Sequence, residues 1–198
     1  MTLSKNETNS MKIRVWLALV VGILACTSLA TAIRAQSESD GLPERNTGHY
    51  AIVETERGTF VIELYPQVAP KTVANFEKLV NKGFYNGLTF HRVVEGFVVQ
   101  GGDPNGDGSG GPGYEIVAEI NPNEKHLRGS VATARTGDEV NPERKSSGSQ
   151  FYICLEPQPG LDGQYTIFGG VVKGMHVVDQ IKVGDHMKKI TLASKPPA

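Results

Sequence analysis

The sequence predicts a mainly β domain, an antiparallel barrel of short strands with two helices. Three observations lead there. Short apolar and β-branched runs recur along the chain with period-two alternation, and glycine, proline and asparagine punctuate them. Only two segments carry apolar residues at helical spacing. The 23 glycines cluster in loops instead of repeating at a fixed period, which excludes collagen-like and solenoid folds. Many short strands around two helices fit a sheet closed on itself, because closure leaves no edge strand.

The elements follow in order. Tyr50–Thr55 and Phe60–Tyr65 form a strand pair about the turn Glu56-Arg57-Gly58, with Phe60, Ile62 and Leu64 on one face. A helix starts at Pro70, which suits a first helical turn. It presents Val73, Phe76, Leu79 and Val80 on one side and ends at Asn81–Gly83. Leu88–Val94 and Phe97–Gln100 are the next strands. Gly101–Gly113 is a long loop with seven glycines. Val131–Arg135, Gln150–Leu155 and Tyr165–Val172 continue the sheet. Met175, Val178 and Ile181 mark a short helix over 175–181, and Ile190–Leu192 could close the sheet.

The 198 residues divide into a leader (1–35), a flexible tether (36–48), one domain (49–194) and a frayed tail (195–198). Lys12 and Arg14 precede an apolar run from Val15, and Ala30-Thr31-Ala32 has the small-x-small form of a signal-peptide cleavage site. Cleavage and export are the expectation, and the short leader and compact single domain look bacterial, which makes a periplasm the expected destination. Two alternatives stay open: an uncleaved anchor over Val15–Ile33, and lipidation of Cys26 after Ile23-Leu24-Ala25. Either would tether the protein to a membrane.

The first 35 residues hold four basic residues and one acidic residue, so the rest carries 16 basic against 20 acidic, a net charge of −4. A mildly acidic domain without a basic stripe excludes nucleic acid as a partner. Cys154, the one cysteine outside the leader, reads as a small buried apolar residue. The five histidines have no zinc-ligand spacing, and the glycine loop lacks the Gly-Lys-Ser/Thr of a phosphate cradle. Asp103, Asn105, Asp107 and Gly108 approach a calcium loop, but Tyr114 stands where its last carboxylate belongs. A mobile loop wrapping the barrel is the plainer expectation, with no metal and no cofactor.

Chemistry concentrates in Phe90-His91-Arg92-Val93-Val94-Glu95-Gly96-Phe97-Val98-Val99-Gln100-Gly101-Gly102-Asp103 and in Ser147-Gly148-Ser149-Gln150-Phe151-Tyr152-Ile153. Apolar strands normally keep Arg and Gln off a buried face. Strands that line a pocket would explain them, with Phe97 as the floor and Arg92 and Gln100 as aimed donors. These segments, with Leu161-Asp162-Gly163, Phe168-Gly169 and Gly174-Met175, resemble the cyclophilin family of peptidyl-prolyl isomerases from about Tyr50 to Ile181.

The resemblance implies a closed eight-stranded antiparallel barrel capped by two helices. It implies that Arg92 is catalytic and that Phe97, Val98, Tyr152, Leu161 and Tyr165 enclose a substrate proline. Gln100 would bind the substrate backbone, Gln150 would border the groove, His91 would lie beside the arginine, and Ala134 and Arg135 would offer main-chain groups. The partners implied are proline-containing polypeptides, with a monomer as the default state. Several positions depart from the family pattern. Arg135 replaces an asparagine, Tyr165 a histidine and Tyr152 a phenylalanine, the last adding a hydroxyl at the rim. Gly160 replaces the tryptophan of cyclosporin-sensitive members, so weak or no cyclosporin binding is expected, and Gly137–Lys145 looks longer than usual. A non-catalytic proline-peptide-binding chaperone or scaffold on the same fold is the alternative.

Overall fold

The computed structural model describes residues 40–197, so the leader falls outside the described residues. Among the described residues ten strands and two α-helices run in the order β1 (Tyr50–Thr55), β2 (Gly58–Leu64), α1 (Pro70–Asn81), β3 (Arg92–Val94), β4 (Val98–Gly101), β5 (Glu115–Ile116), β6 (Ser130–Thr133), β7 (Ser146–Ser147), β8 (Phe151–Cys154), β9 (Ile167–Lys173), α2 (Met175–Val178) and β10 (Met187–Ala193). Eight of the strands form one antiparallel sheet, ordered β10-β1-β2-β9-β6-β8-β4-β3. The pair β5-β7 was not expected, since two-residue strands are too short to show a period.

The expected closed barrel is replaced by a seam. The end strands β3 and β10 share no ladder; a single bridge, Thr89 to His186, lies between the segments that precede them. Met187 N–H donates to Leu88 O at 2.8 Å, Phe90 N–H to Asp185 O at 2.8 Å and Gly184 N–H to Phe90 O at 3.0 Å. Residues 88–90, read in the sequence as part of the third strand, spend their backbone groups on this seam instead of on β4. The ladder with β4 therefore starts only at Arg92.

Inward side chains of the sheet, among them Phe60, Ile62, Leu64, Val99, Val131, Phe151, Ile153 and Phe168, form the main core with the helices. Helix α1 adds Val73, Phe76, Leu79 and Val80, the face its spacing predicted. Phe76 lies 5.8 Å from Phe151 edge-on and 5.4 Å from Phe168. Ala69 provides no side-chain cap to this helix. The Glu119 carboxylate does so from a distance, accepting the N–H groups of Lys71 (3.0 Å) and Thr72 (2.8 Å) and favouring the positive end of the helix. Helix α2 is shorter than the 175–181 expected.

From Asp40 onward, the stretch read as a flexible tether is bound to the sheet. Asp40 accepts the N–H groups of Gly174, Met175 and His176 and caps α2. Leu42 N–H donates to Val171 O at 2.7 Å. Arg45 and Thr47 donate their N–H groups, at 2.6 and 2.7 Å, to the wholly buried Glu63 carboxylate. The Arg45 guanidinium lies 3.8 Å over the Tyr65 ring and forms a two-pronged pair with Glu124. Sequence composition marked this stretch as polar, but its partners lie too far along the chain to be read from it.

Candidate active site

The site is a row across the outer face of the sheet. Register places Arg92 (β3) opposite Gln100 (β4), Gln100 opposite Tyr152 (β8), and Tyr152 opposite Ala132 (β6). Residues directly opposite in adjacent strands share a face, so these side chains stand side by side. Two residues along on the same face come Val98, Cys154 and Ala134. Val98, Ala132, Ala134, Tyr152, Cys154 and Ile167 make a second apolar cluster, on the outer face of the sheet, with Phe97, Leu161 and Tyr165 packed on it. Strand β8 is thus buried on both faces, which is why it reads as an unbroken apolar run, whereas β4 interrupts its run with the half-buried Gln100.

A pocket of about 180 Å³ opens on this cluster. Phe97, Val98, Tyr152, Leu161 and Tyr165 wall it; Arg92, Gln100, Ala134 and Arg135 line its polar side. A larger concavity of about 410 Å³ adjoins it, shares Gln100, Ala134 and Arg135, and is bordered by Gln150. Of the residues expected at the site, His91 alone lines neither hollow. It is half-buried and its Nδ1 lacks a hydrogen-bond partner. Burial, only partly offset by Asp103, holds its imidazole below the usual range.

A chain of amides orients Arg92. One guanidinium N–H donates to Gln100 Oε1 at 3.2 Å, and Gln100 Nε2 donates to Gln150 Oε1 at 3.1 Å. Gln150 Nε2 then donates to the carbonyls of Gly108 (2.9 Å) and Gly110 (2.8 Å). The guanidinium also lies 5.5 Å over the Phe97 ring. Arginine has five N–H donors. Among the described residues only one of them is spent, so the others remain available to a ligand in the pocket.

The glycine loop is the support of that chain, and it is organised more tightly than the mobile wrap expected. Buried Asp103 accepts the N–H groups of Asn105 (2.8 Å), Asp107 (3.1 Å) and Gly108 (2.5 Å), folding the loop back so that its carbonyls meet Gln150. Among the described residues no group of three His, Cys, Asp or Glu could hold a metal ion. Cys154 is wholly buried, and burial pushes its thiol up to about 12, the behaviour of an inert apolar residue.

One side chain departs from expectation, and another makes contacts for which there was no expectation. The Tyr152 hydroxyl does not stand at the rim; it turns inward to His126 Nε2 at 3.0 Å, and burial raises its pKa well above the usual phenol range. The Arg135 side chain stacks 4.6 Å over the Tyr165 ring, donates to Gln164 O and pairs with Asp138 at 2.7 Å. Asp138 also binds Arg144, so the segment 137–145 supports the pocket wall through Arg135. His126 and these supports carried no recognisable spacing in the sequence.

An apolar pocket of this size beside a guanidinium with unspent donors, on a groove that continues past it, suits a small apolar ring flanked by hydrogen-bond acceptors. Residues 50–196 match the model of the cyclophilin type peptidyl-prolyl cis-trans isomerase/CLD family. A Helicobacter pylori peptidyl-prolyl cis-trans isomerase is 46% identical over 149 residues, covering 73% of this chain and 87% of its own length. Peptidyl-prolyl cis-trans isomerase B of Bacillus subtilis is 48% identical over 145 residues, 73% of this chain and 96% of its own. A crystal structure of a Cryptosporidium parvum cyclophilin type peptidyl-prolyl cis-trans isomerase superposes with TM-score 0.68 at 31% identity, covering 75% of this chain and 99% of that one. The same protein, in the presence of the dipeptide Ala-Pro, superposes with TM-score 0.67 at 30% identity over 74% of this chain and 99% of that one. The chain belongs to the cyclophilin-type peptidyl-prolyl cis-trans isomerase family and is an enzyme of that class.

Proposed function

We propose that the protein accelerates X-Pro rotation in exported polypeptides by a hydrogen bond from Arg92 to the proline nitrogen. The barrier to rotation is roughly 18–20 kcal/mol because amide resonance must be broken. In the twisted transition state the nitrogen becomes pyramidal and regains a lone pair. A guanidinium N–H aimed there binds that state more strongly than the planar ground state, and this difference lowers the barrier. The ring of the substrate proline sits against Phe97, Val98, Tyr152, Leu161 and Tyr165 while the preceding carbonyl turns. Gln100 and the main chain of Ala134 and Arg135 hold the peptide on either side. No proton moves and no covalent bond changes, so the mechanism requires neither nucleophile nor cofactor.

The observation that carries this reading is the placement of Arg92: a cation held by Gln100 at 3.2 Å at the mouth of an apolar pocket, with donors to spare. The signal-like first 35 residues support export, and a periplasmic folding role fits a reaction that takes tens to hundreds of seconds uncatalysed. Gly160, beside Leu161 with open space around it, supports weak cyclosporin binding. The test is the cis-to-trans relaxation of an Ala-Pro-Phe peptide. The purified protein accelerates it, and Arg92→Ala reduces kcat/KM by about 10²–10³. A folded wild-type protein that binds the peptide but leaves the rate at its uncatalysed value would make this a binding module instead.

A further inference from the structure

His126, on the loop before β6, has a side chain of 0% exposure. It lines neither hollow, yet it reaches two walls of the pocket. Its backbone N–H donates to Asp162 Oδ1 at 2.8 Å, its ring Nδ1 lies 3.1 Å from the same oxygen, and its carbonyl accepts the N–H of Gln158 at 2.8 Å. Gln158 and Asp162 bracket the 3-10 turn Pro159–Leu161 that carries Leu161. On its far side the ring Nε2 meets the Tyr152 hydroxyl at 3.0 Å.

The proton positions follow from the partners. A carboxylate only accepts, so Nδ1 carries the hydrogen; the neutral ring then leaves Nε2 as an acceptor, and Tyr152 O–H donates to it. Burial holds the imidazole below its usual pKa, with Asp162 opposing, which keeps the ring in this neutral form. The other groups around it fit that state. Lys125 lies 3.5 Å from Asp162, Tyr165 stands edge-on to the imidazole at 6.3 Å, and Arg135 covers the outer side of Tyr165. Cys154, behind Tyr152, is neutral.

We propose that His126 is a positioning residue for the isomerase reaction. By binding the Leu161 turn on one side and Tyr152 on the other, it fixes the width of the proline pocket. This rests on the reading of that pocket as the proline site. The two walls come from unlike elements. Tyr152 is held in β8 between two ladders, whereas the turn buries none of its residues and needs an external clamp. Dispersion contacts with a small ring fall away within an ångström, so a wall that drifts loses hold of it.

The experiment uses the full chain with His126→Leu, His126→Gln, Tyr152→Phe and the double variant His126→Leu/Tyr152→Phe. Isomerisation kinetics are measured alongside thermal unfolding and the long-range ¹H–¹⁵N spectrum of the imidazole. His126→Leu, which strands the Tyr152 hydroxyl, raises KM about tenfold and Tyr152→Phe does so about threefold. The double variant is no worse than His126→Leu alone, because the bond that Tyr152→Phe removes is already lost in His126→Leu. His126→Gln, which restores an acceptor, recovers most of the loss, and the wild-type spectrum shows the proton on Nδ1. Unchanged KM in folded His126→Leu, or additive losses in the double variant, would reduce His126 to a stability role. Should His126→Leu not fold, Tyr152→Phe and His126→Gln decide by the same KM criterion. A proton on Nε2 would overturn the proposed bond. That spectrum and a peptide titration need no turnover, so a failure of the isomerase reading would be seen separately.

Discussion

Arg92 and Gln100 face each other across the β3–β4 ladder, and the Arg92 guanidinium donates to Gln100 Oε1 at 3.2 Å. The bond uses the acceptor end of the amide and leaves its NH₂ for Gln150. An arginine on a strand this exposed would otherwise sample many rotamers, at a cost of up to about 2 kcal/mol to fix each time a peptide binds. Here the cost is met in folding. Orientation is thus passed from the glycine loop through two glutamines to the guanidinium.

Replacing Gln100 with leucine should therefore injure catalysis more than folding. We expect kcat/KM to fall about 10- to 100-fold through misplacement of the donor, with Arg92 still present. The check is kinetics paired with thermal unfolding, and a loss of stability without a loss of rate would count against the orienting role.

Gly102 adopts φ +84°, and a Cβ there would run into the Ser149 carbonyl. Ser149 Oγ also donates to Gly102 O at 2.7 Å, tying the start of the glycine loop to the residues before β8. Gly102→Ala is predicted to destabilise the protein by more than about 2 kcal/mol, combining left-handed strain with a backbone clash. Urea denaturation measures it.

Asp40 supplies a pH-dependent term. Burial alone would raise its carboxyl. The His176 N–H, the His176 ring and the Met175 N–H together outweigh burial and hold it below its ordinary 3.8. A lowered folded pKa means that the contribution is present above 3.8 and is lost as pH falls through the folded value. Asp40→Ala should cost about 1 kcal/mol near neutral pH. The gap between wild type and variant should close below pH 3.8 in urea unfolding at stepped pH.

The open space around Gly160 makes a further case. Gly160→Trp should strengthen cyclosporin binding by about tenfold or more, since an indole adds apolar area and one N–H donor beside Leu161. Isothermal titration of both proteins compares them directly.

Much of this was legible in the sequence, for reasons that are local. Strand β2 and helix α1 declared themselves through period and punctuation, and Arg92 and Gln100 through their oddity in apolar runs, while Tyr152 was marked by the family resemblance alone. What the sequence hid depends on distance along the chain. Glu119 caps a helix some 47 residues before it, and Asp40 caps one 136 residues after it. The seam at Thr89 and His186 and the clamp at His126 likewise join residues that no window of sequence contains. The Tyr152 hydroxyl was misplaced at the rim because the alternation of a strand tells which face a side chain takes, not where its tip turns.

The central claim is that Arg92 serves the transition state and not the bound ground state. Exchange NMR on an Ala-Pro-Phe peptide separates the two, giving the Kd and the rate of cis–trans exchange on the enzyme for wild type and Arg92→Ala. We predict a Kd within about threefold of wild type and an on-enzyme rate lower by about 10²–10³. An unchanged on-enzyme rate with binding weakened by the same factor would contradict it, and would make Arg92 an anchor for the peptide.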